Sequence, residues 1–204
     1  MGRRPTWTEP ELLGAVMALF RRKGFVDTSV RDLEEATGLH PGSLYRAYGS
    51  KEALFAAALS HYNEQVVARR VHTHLDEAEP PLSGIYSFFS STFESDEEAN
   101  LGCLLTNTAV ESRVLASPAR VGVATGLDLI ESGFVRALDR ASRAGHLARA
   151  ASAERLAAQL LALYQGVLVL VRFGTPKAKL ADIVENAIPA IISTTQPTVL
   201  GASR

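Results

Sequence analysis

Between Ser29 and Ser50 the chain carries helix starts and stops so closely spaced that only short helices joined by tight turns can satisfy them. The Ser29 hydroxyl can cap a helix, and Asp32 stands at the capping-box spacing behind it. Val30, Leu33 and Ala36 give that helix one inner face, and Gly38 ends it. Pro41 suits the first turn of a second helix, where its missing N–H deletes no bond. Leu44 and Tyr48 fall on the buried side of this helix, Gly49 breaks it, and Ser50 caps the next one.

The flanking sequence is helical as well. Leu12, Ala15, Val16, Leu19 and Phe20 recur at three- and four-residue spacing over Glu9–Lys23, and Gly24 supplies the stop. A long helix is expected from Lys51 to about Leu75, and one carrying Leu82, Ile85, Phe88, Phe89 and Phe93 after Pro80-Pro81. Ser95 to Asn100 reads as an acidic loop. Further helices are expected over 101–115, 118–143 and 152–173, and a last one from Thr175-Pro176 to Thr194. In that last helix the apolar residues fit the i, i+3, i+4, i+7 template, but Pro189 should kink it or end it early. No stretch alternates with period two for long. The expected fold is therefore all-α, about nine helices, with an N-terminal three-helix helix-turn-helix domain (1–50) followed by a larger helical domain (51–204).

Composition narrows the function classes. With 47% hydrophobic and 21% charged residues the chain is an ordinary globular one. A single cysteine, Cys103, excludes an intramolecular disulfide and points to a reducing compartment, the cytoplasm. The polar start, Met1 to Trp7, lacks the apolar core of a secretory signal, and the longest apolar run, within Leu160–Val171, is too short to span a bilayer. Net charge is −1, but residues 1–51 hold eight Lys or Arg against six Asp or Glu, while the remainder is net acidic. That mild asymmetry permits a local nucleic-acid-binding patch.

In a helix-turn-helix the second helix enters the major groove with its N-terminal residues against base edges. Here that helix starts at Pro41 and presents Gly42, Ser43 and Tyr45, while Leu44 faces inward. Small residues let the backbone approach DNA, and a hydroxyl and a phenol can contact phosphates or bases. Ser29, with the free N–H groups at its helix start, can hold a phosphate. Arg31 and Lys51 add charge on either side.

The segments 15–20 and 24–30, with the run from Gly38-Leu39-His40-Pro41-Gly42-Ser43-Leu44-Tyr45 to Lys51-Glu52-Ala53-Leu54-Phe55, resemble the DNA-binding domain of the tetracycline-repressor (TetR) family. The resemblance implies an all-helical homodimer formed through the last two helices, a double-stranded DNA operator, a small-molecule effector bound among the middle helices, and no catalysis. Carried over by position, it implies DNA contacts at Arg31, His40, Pro41, Gly42, Ser43, Tyr45 and Lys51. Three positions depart from the pattern. Ala47 replaces a phosphate-contacting His or Tyr. Glu34 replaces a small Ala, which predicts disturbed packing. His40 replaces a Ser cap, which predicts a different start to the recognition helix.

The aromatics Phe88, Phe89, Phe93, Phe134 and Tyr164 serve equally as core or, taken together, as the lining of a mostly apolar effector pocket with polar fixtures such as Asn107 and Gln165. Cys103 and Leu104 complete that expected lining, and Cys103 reads either as a small buried hydrophobe or as a reactive thiol at a helix start. The absence of a cationic cluster there favours an apolar or amphipathic effector. His72 and His74, with Asp76 nearby, invite a metal reading, but the two imidazoles are two positions apart and point to different helix faces, so they would not share an ion. No nucleophile elbow, phosphate loop or Cys-x-x-Cys pair occurs, so neither cofactor nor enzymatic chemistry is indicated. The rival reading is an all-helical interaction module or enzyme without DNA affinity.

Overall fold

A computed structural model describes residues 8–94, 101–111, 117–147 and 152–193. These contain nine helices and no strand. The acidic loop expected over 95–100, the polar start Met1 to Trp7, and the ends expected at Leu115 and Thr194 lie outside the described residues.

The first three helices follow their local start and stop signals closely, but on the second only Leu33 is buried; Val30 and Ala36, expected on its inner face, are exposed. Helix α1, Glu9–Lys23, is held at its start by a capping box: Thr8 donates its N–H to Glu11 Oε2 at 2.8 Å. It buries Leu12, Leu13, Val16, Leu19 and Phe20 and stops at Gly24. Helix α2, Val30–Thr37, opens on the expected box, with the Asp32 N–H donating to Ser29 Oγ and the Ser29 N–H donating to Asp32 Oδ2. Gly38 ends it at φ 67, a left-handed conformation that costs a residue with a Cβ strain. Helix α3 is Pro41–Tyr48, and its buried residue is Leu44. Glu34 is exposed, so the expected packing conflict does not arise; its side chain lies on the solvent side of α2.

Helix α4 starts as Lys51–Tyr62, capped by the Ser50 hydroxyl, and runs on to Asp76 through two π-helical turns, Asn63–Val67 and Val71–Asp76, with Ala68–Arg70 between them. Its first half packs on α1, where Phe20, Phe25 and Phe55 form one ring cluster with Phe20–Phe55 centroids 4.6 Å apart. Its second half belongs to the larger body. There α7, Ser117–Arg143, is the central helix, touching α4, α5 (Pro81–Ser90), α6 (Leu104–Val110) and α8 (Ala153–Arg172). Arg136 grips the Asp76 carboxylate with two bonds of 2.8 and 3.0 Å, and Arg140 bonds the Asp76 and Ala78 carbonyls, fixing the end of α4 to α7.

Two expectations are corrected. Helix α6 begins at Leu104, not at residue 101, because Gly102 at φ 69 turns the chain out of helical geometry and leaves Cys103 as the N-cap. Helix α9, Lys177–Ser193, contains Pro189, so of the two outcomes expected there the early end is not found. Pro189 and Glu185 both face solvent, so the unmade bond leaves a carbonyl in water, while Leu180, Val184 and Ile188 stay packed. Among the described helices α8 alone is long and apolar enough to cross a bilayer; here Leu156, Leu160, Tyr164, Leu168 and Val171 pack it into the body.

Candidate functional site

The N-terminal end of α3 is a surface feature. Gly42 and Ser43 are exposed, Tyr45 is half-buried, and Leu44 anchors the helix from below. The helix starts at Pro41, as its proline predicts, and a different start does not follow from His40. The imidazole does the capping: the Gly42 N–H donates to His40 Nδ1 at 3.1 Å. In that bond Nδ1 acts as the acceptor, the role an unprotonated ring nitrogen takes. Ala47 and Arg46 are exposed on the same helix. Ala47 offers no polar group; Arg46 does, and the sequence reading passed over it.

The flanking residues are near but engaged. The Ser29 hydroxyl is held in its capping box, donating to Asp32 Oδ2 at 2.7 Å. Lys23 Nζ lies 2.7 Å from Asp32 Oδ1, and this contact, with the Ser29 groups, holds the Asp32 carboxyl well below the usual carboxylate range. Arg31 is exposed and paired with Glu35 at 2.9 Å, a contact that a phosphate would readily replace. Lys51 Nζ lies 4.4 Å from the centroid of the Phe25 ring, and partial burial lowers its pKa against the pull of Glu52, Glu111, Asp27 and Asp32.

The expected pocket residues divide into two groups. Phe88, Phe89, Phe134 and Tyr164 are fully buried and pack on one another, with centroids between 4.9 and 6.4 Å apart. Phe93 is buried as well. Arg70 was not foreseen. Its guanidinium donates to the Tyr164 hydroxyl at 2.7 Å, to the Phe88 carbonyl and to Ser91 Oγ, and it stacks 4.7 Å from the Phe88 ring centroid. Burial pushes the Tyr164 phenol up to about 12 although Arg70 pulls the other way. Arg70 stands between Val67 and Val71 on an otherwise apolar face, a placement that could have flagged it.

The other group sits at the reader-facing end. Cys103 is buried and accepts a bond from the Tyr62 hydroxyl at 3.4 Å, and Leu104 is buried beside it. Asn107 donates to the carbonyls of Leu101 and Arg21 instead of facing the aromatic cluster, and Thr106 donates to Gln165 Oε1 at 2.7 Å. Asn107 lines a surface groove of about 390 Å³ with Thr106, Val110, Glu111, Val169, Arg172 and Phe173.

A capped, solvent-facing second helix on a three-helix head, carried by a larger helical body, defines a helix-turn-helix DNA-binding regulator. Residues 12–58 match the family described as bacterial regulatory proteins, tetR family, and residues 80–187 match the tetracyclin repressor-like C-terminal domain. The chain belongs to the TetR family of transcriptional regulators, which are not enzymes. Among solved structures it is similar to the TetR-family regulator CifR, a cysteine mutant of which was solved with 26-bp double-strand operator DNA; identity is 29%, TM-score 0.80, covering 92% of this chain and 99% of that one. Among curated proteins it is similar to the transcriptional repressor ComR of Escherichia coli (strain K12), 26% identical over 92% of this chain and 90% of that protein. It is also 22% identical to the repressor DhaR of Mycobacterium sp. (strain GP1), over 87% of this chain and 89% of the relative.

Proposed function

We propose that the protein is a cytoplasmic homodimeric repressor that leaves a palindromic operator when a small apolar or amphipathic molecule enters its larger domain. Residues 1–50 read DNA; residues 51–204 dimerise and sense. The observation that carries the reading is the start of α3, where Gly42 and Ser43 are exposed and Tyr45 is half-buried on a helix capped by His40. Ser43 and Tyr45 are assigned to recognition, His40, Pro41 and Gly42 to close backbone approach, and Ser29, Arg31 and Lys51 to phosphates.

Dimerisation through α8 and α9 is supported by the apolar surface they leave open: Val169 and Phe173 are 52% and 85% exposed, and Leu161, Leu163, Ile183 and Ile192 are half-buried. The effector site is assigned to Phe88, Phe89, Phe93, Phe134 and Tyr164, with Cys103 and Leu104 towards the head; Asn107, expected in the lining, is engaged with the Leu101 and Arg21 carbonyls instead. Because the four central rings pack on one another, entry must part them, which gives the ligand a differential affinity for two states of the body. Arg70 adds one polar anchor to an otherwise apolar lining. Selection of bound sites from random duplex DNA tests the reading. An inverted repeat, with half-sites about one helical turn or a multiple apart, is expected; recovery of no enriched sequence would overturn it.

A further inference from the structure

The head is fastened to the body at a second place besides α4. Glu111, at the C-terminal end of α6, points its carboxylate into the loop between α1 and α2, where Oε2 accepts the N–H of Phe25 at 3.0 Å and that of Val26 at 3.1 Å. The two amides are consecutive, and among the described residues neither has another acceptor. A carboxylate on two backbone donors makes charge-assisted bonds, stronger than neutral ones. Gly24 makes the approach possible: a Cβ there would collide with Glu111 Oε1, and its φ of 82 disfavours any side chain. One helical turn back on α6, Asn107 donates to the carbonyl of Arg21 at 3.2 Å, and Arg172 at the end of α8 donates to the same carbonyl at 3.1 Å. Arg21 returns a bond of 2.7 Å to the Gly102 carbonyl. The end of α1 and the loop after it are thereby held to the short helix α6, whose other end is the buried Cys103.

We propose that Glu111 is a positioning residue for operator binding: it pins the α1–α2 loop to α6, so that the state of the sensing body and the orientation of α2 and α3 are read through one carboxylate. The loop leads directly into Ser29 and α2, and Phe25 also carries the Lys51 ammonium on its ring. A shift of α6 therefore moves the start of α2 and the seat of Lys51 together. The inference rests on the regulator reading but goes beyond it, because α4 alone would suffice to join the two parts. Coupling of this kind is reciprocal, so operator DNA must be felt in α6.

The test is amide hydrogen exchange on the full-length dimer, with and without the selected operator duplex, in wild type, Glu111→Ala and Glu111→Gln. Wild type should show operator-dependent slowing over 104–111 as well as over 24–45. Glu111→Ala should keep slowing at α3 but lose it in α6, exchange Phe25 and Val26 faster in the free protein, and bind operator roughly five- to tenfold more weakly. Glu111→Gln, which keeps an acceptor oxygen, should restore part of each effect. Gly24→Ala, which blocks the approach from the other side, should reproduce the alanine pattern. Thermal midpoints within a few degrees of wild type would separate positioning from loss of fold. Unchanged α6 exchange in operator-bound wild type, or identical operator-dependent slowing in Glu111→Ala, would overturn the proposal. Wild type that binds no duplex at all would instead overturn the regulator reading.

Discussion

The guanidinium of Arg70 lies 2.7 Å from the Tyr164 hydroxyl, inside a ring of aromatic side chains. The two come from helices 94 positions apart in the chain and join α4, which carries the head, to α8, which is assigned to the dimer contact. Burial keeps the phenol neutral against the pull of Arg70: its pKa is raised from 10.0 to about 12. A raised folded-state pKa means that the unfolded chain loses this proton first as pH rises. The contribution is whole below pH 10 and is lost progressively towards 12. Tyr164→Phe should therefore flatten the alkaline fall in stability measured by urea unfolding between these limits, and an unchanged fall would show that other tyrosines carry it.

The His40 cap gives a mutational pair. His40→Ala should remove the bond to the Gly42 amide, cost the start of α3 about 1 kcal/mol and weaken operator binding several-fold, while His40→Asn, an able cap, should restore most of it. Fluorescence anisotropy on the operator reads both. Failure of Asn to rescue, with both variants equally folded, would mean that the imidazole itself contacts DNA.

Lys51→Ala should weaken binding to specific and unrelated duplexes alike and lower the magnitude of the log-log salt slope by about 0.9. Phe25→Leu removes the ring that seats the ammonium but keeps the charge, so it should leave the slope intact. A slope unchanged in Lys51→Ala would remove Lys51 from the footprint.

Asp32 holds Lys23 and closes the α2 capping box, and its pKa is lowered below 3.8 chiefly by Lys23. A depressed carboxyl stabilises above its unfolded value and loses that contribution as pH falls through and below it. Asp32→Asn should make the head less stable near neutral pH and remove part of its acid sensitivity below about pH 4. Circular dichroism across that range checks it; a parallel shift at all pH values would assign the effect to packing instead.

On the proposed dimer contact, Phe173→Asp should yield a monomer at micromolar concentration in light scattering, because it puts a charge on the 85%-exposed apolar end of α8. Operator affinity should fall with it. A dimer that persists would shift the contact away from this end of the helix.

The head was largely legible from sequence because its boundaries are written by adjacent residues: Ser29 with Asp32, Gly38, Pro41, Gly49 with Ser50. The body was legible in its helices but not in its contacts. The π turns of α4 keep the apolar pattern of an α-helix and leave no separate trace at Val67, Val71 and Leu75. The start of α6 depended on a backbone angle at Gly102, and the continuity of α9 past Pro189 on which side of the helix faces water. Arg70 lies 94 positions from Tyr164, a partner that only the folded chain supplies. Glu111 meets Phe25 across 86 positions of sequence, a pairing that only the folded chain brings together.

The central claim is that the exposed start of α3 reads DNA sequence. It is tested most directly by titrating the full-length protein against the selected operator and a scrambled duplex of equal length at physiological salt. Preference for the operator by roughly a thousandfold or more is expected, falling towards unity in the Ser43→Ala, Tyr45→Ala double variant while scrambled-duplex affinity stays put. Equal affinity of the wild-type protein for the two duplexes would contradict the account.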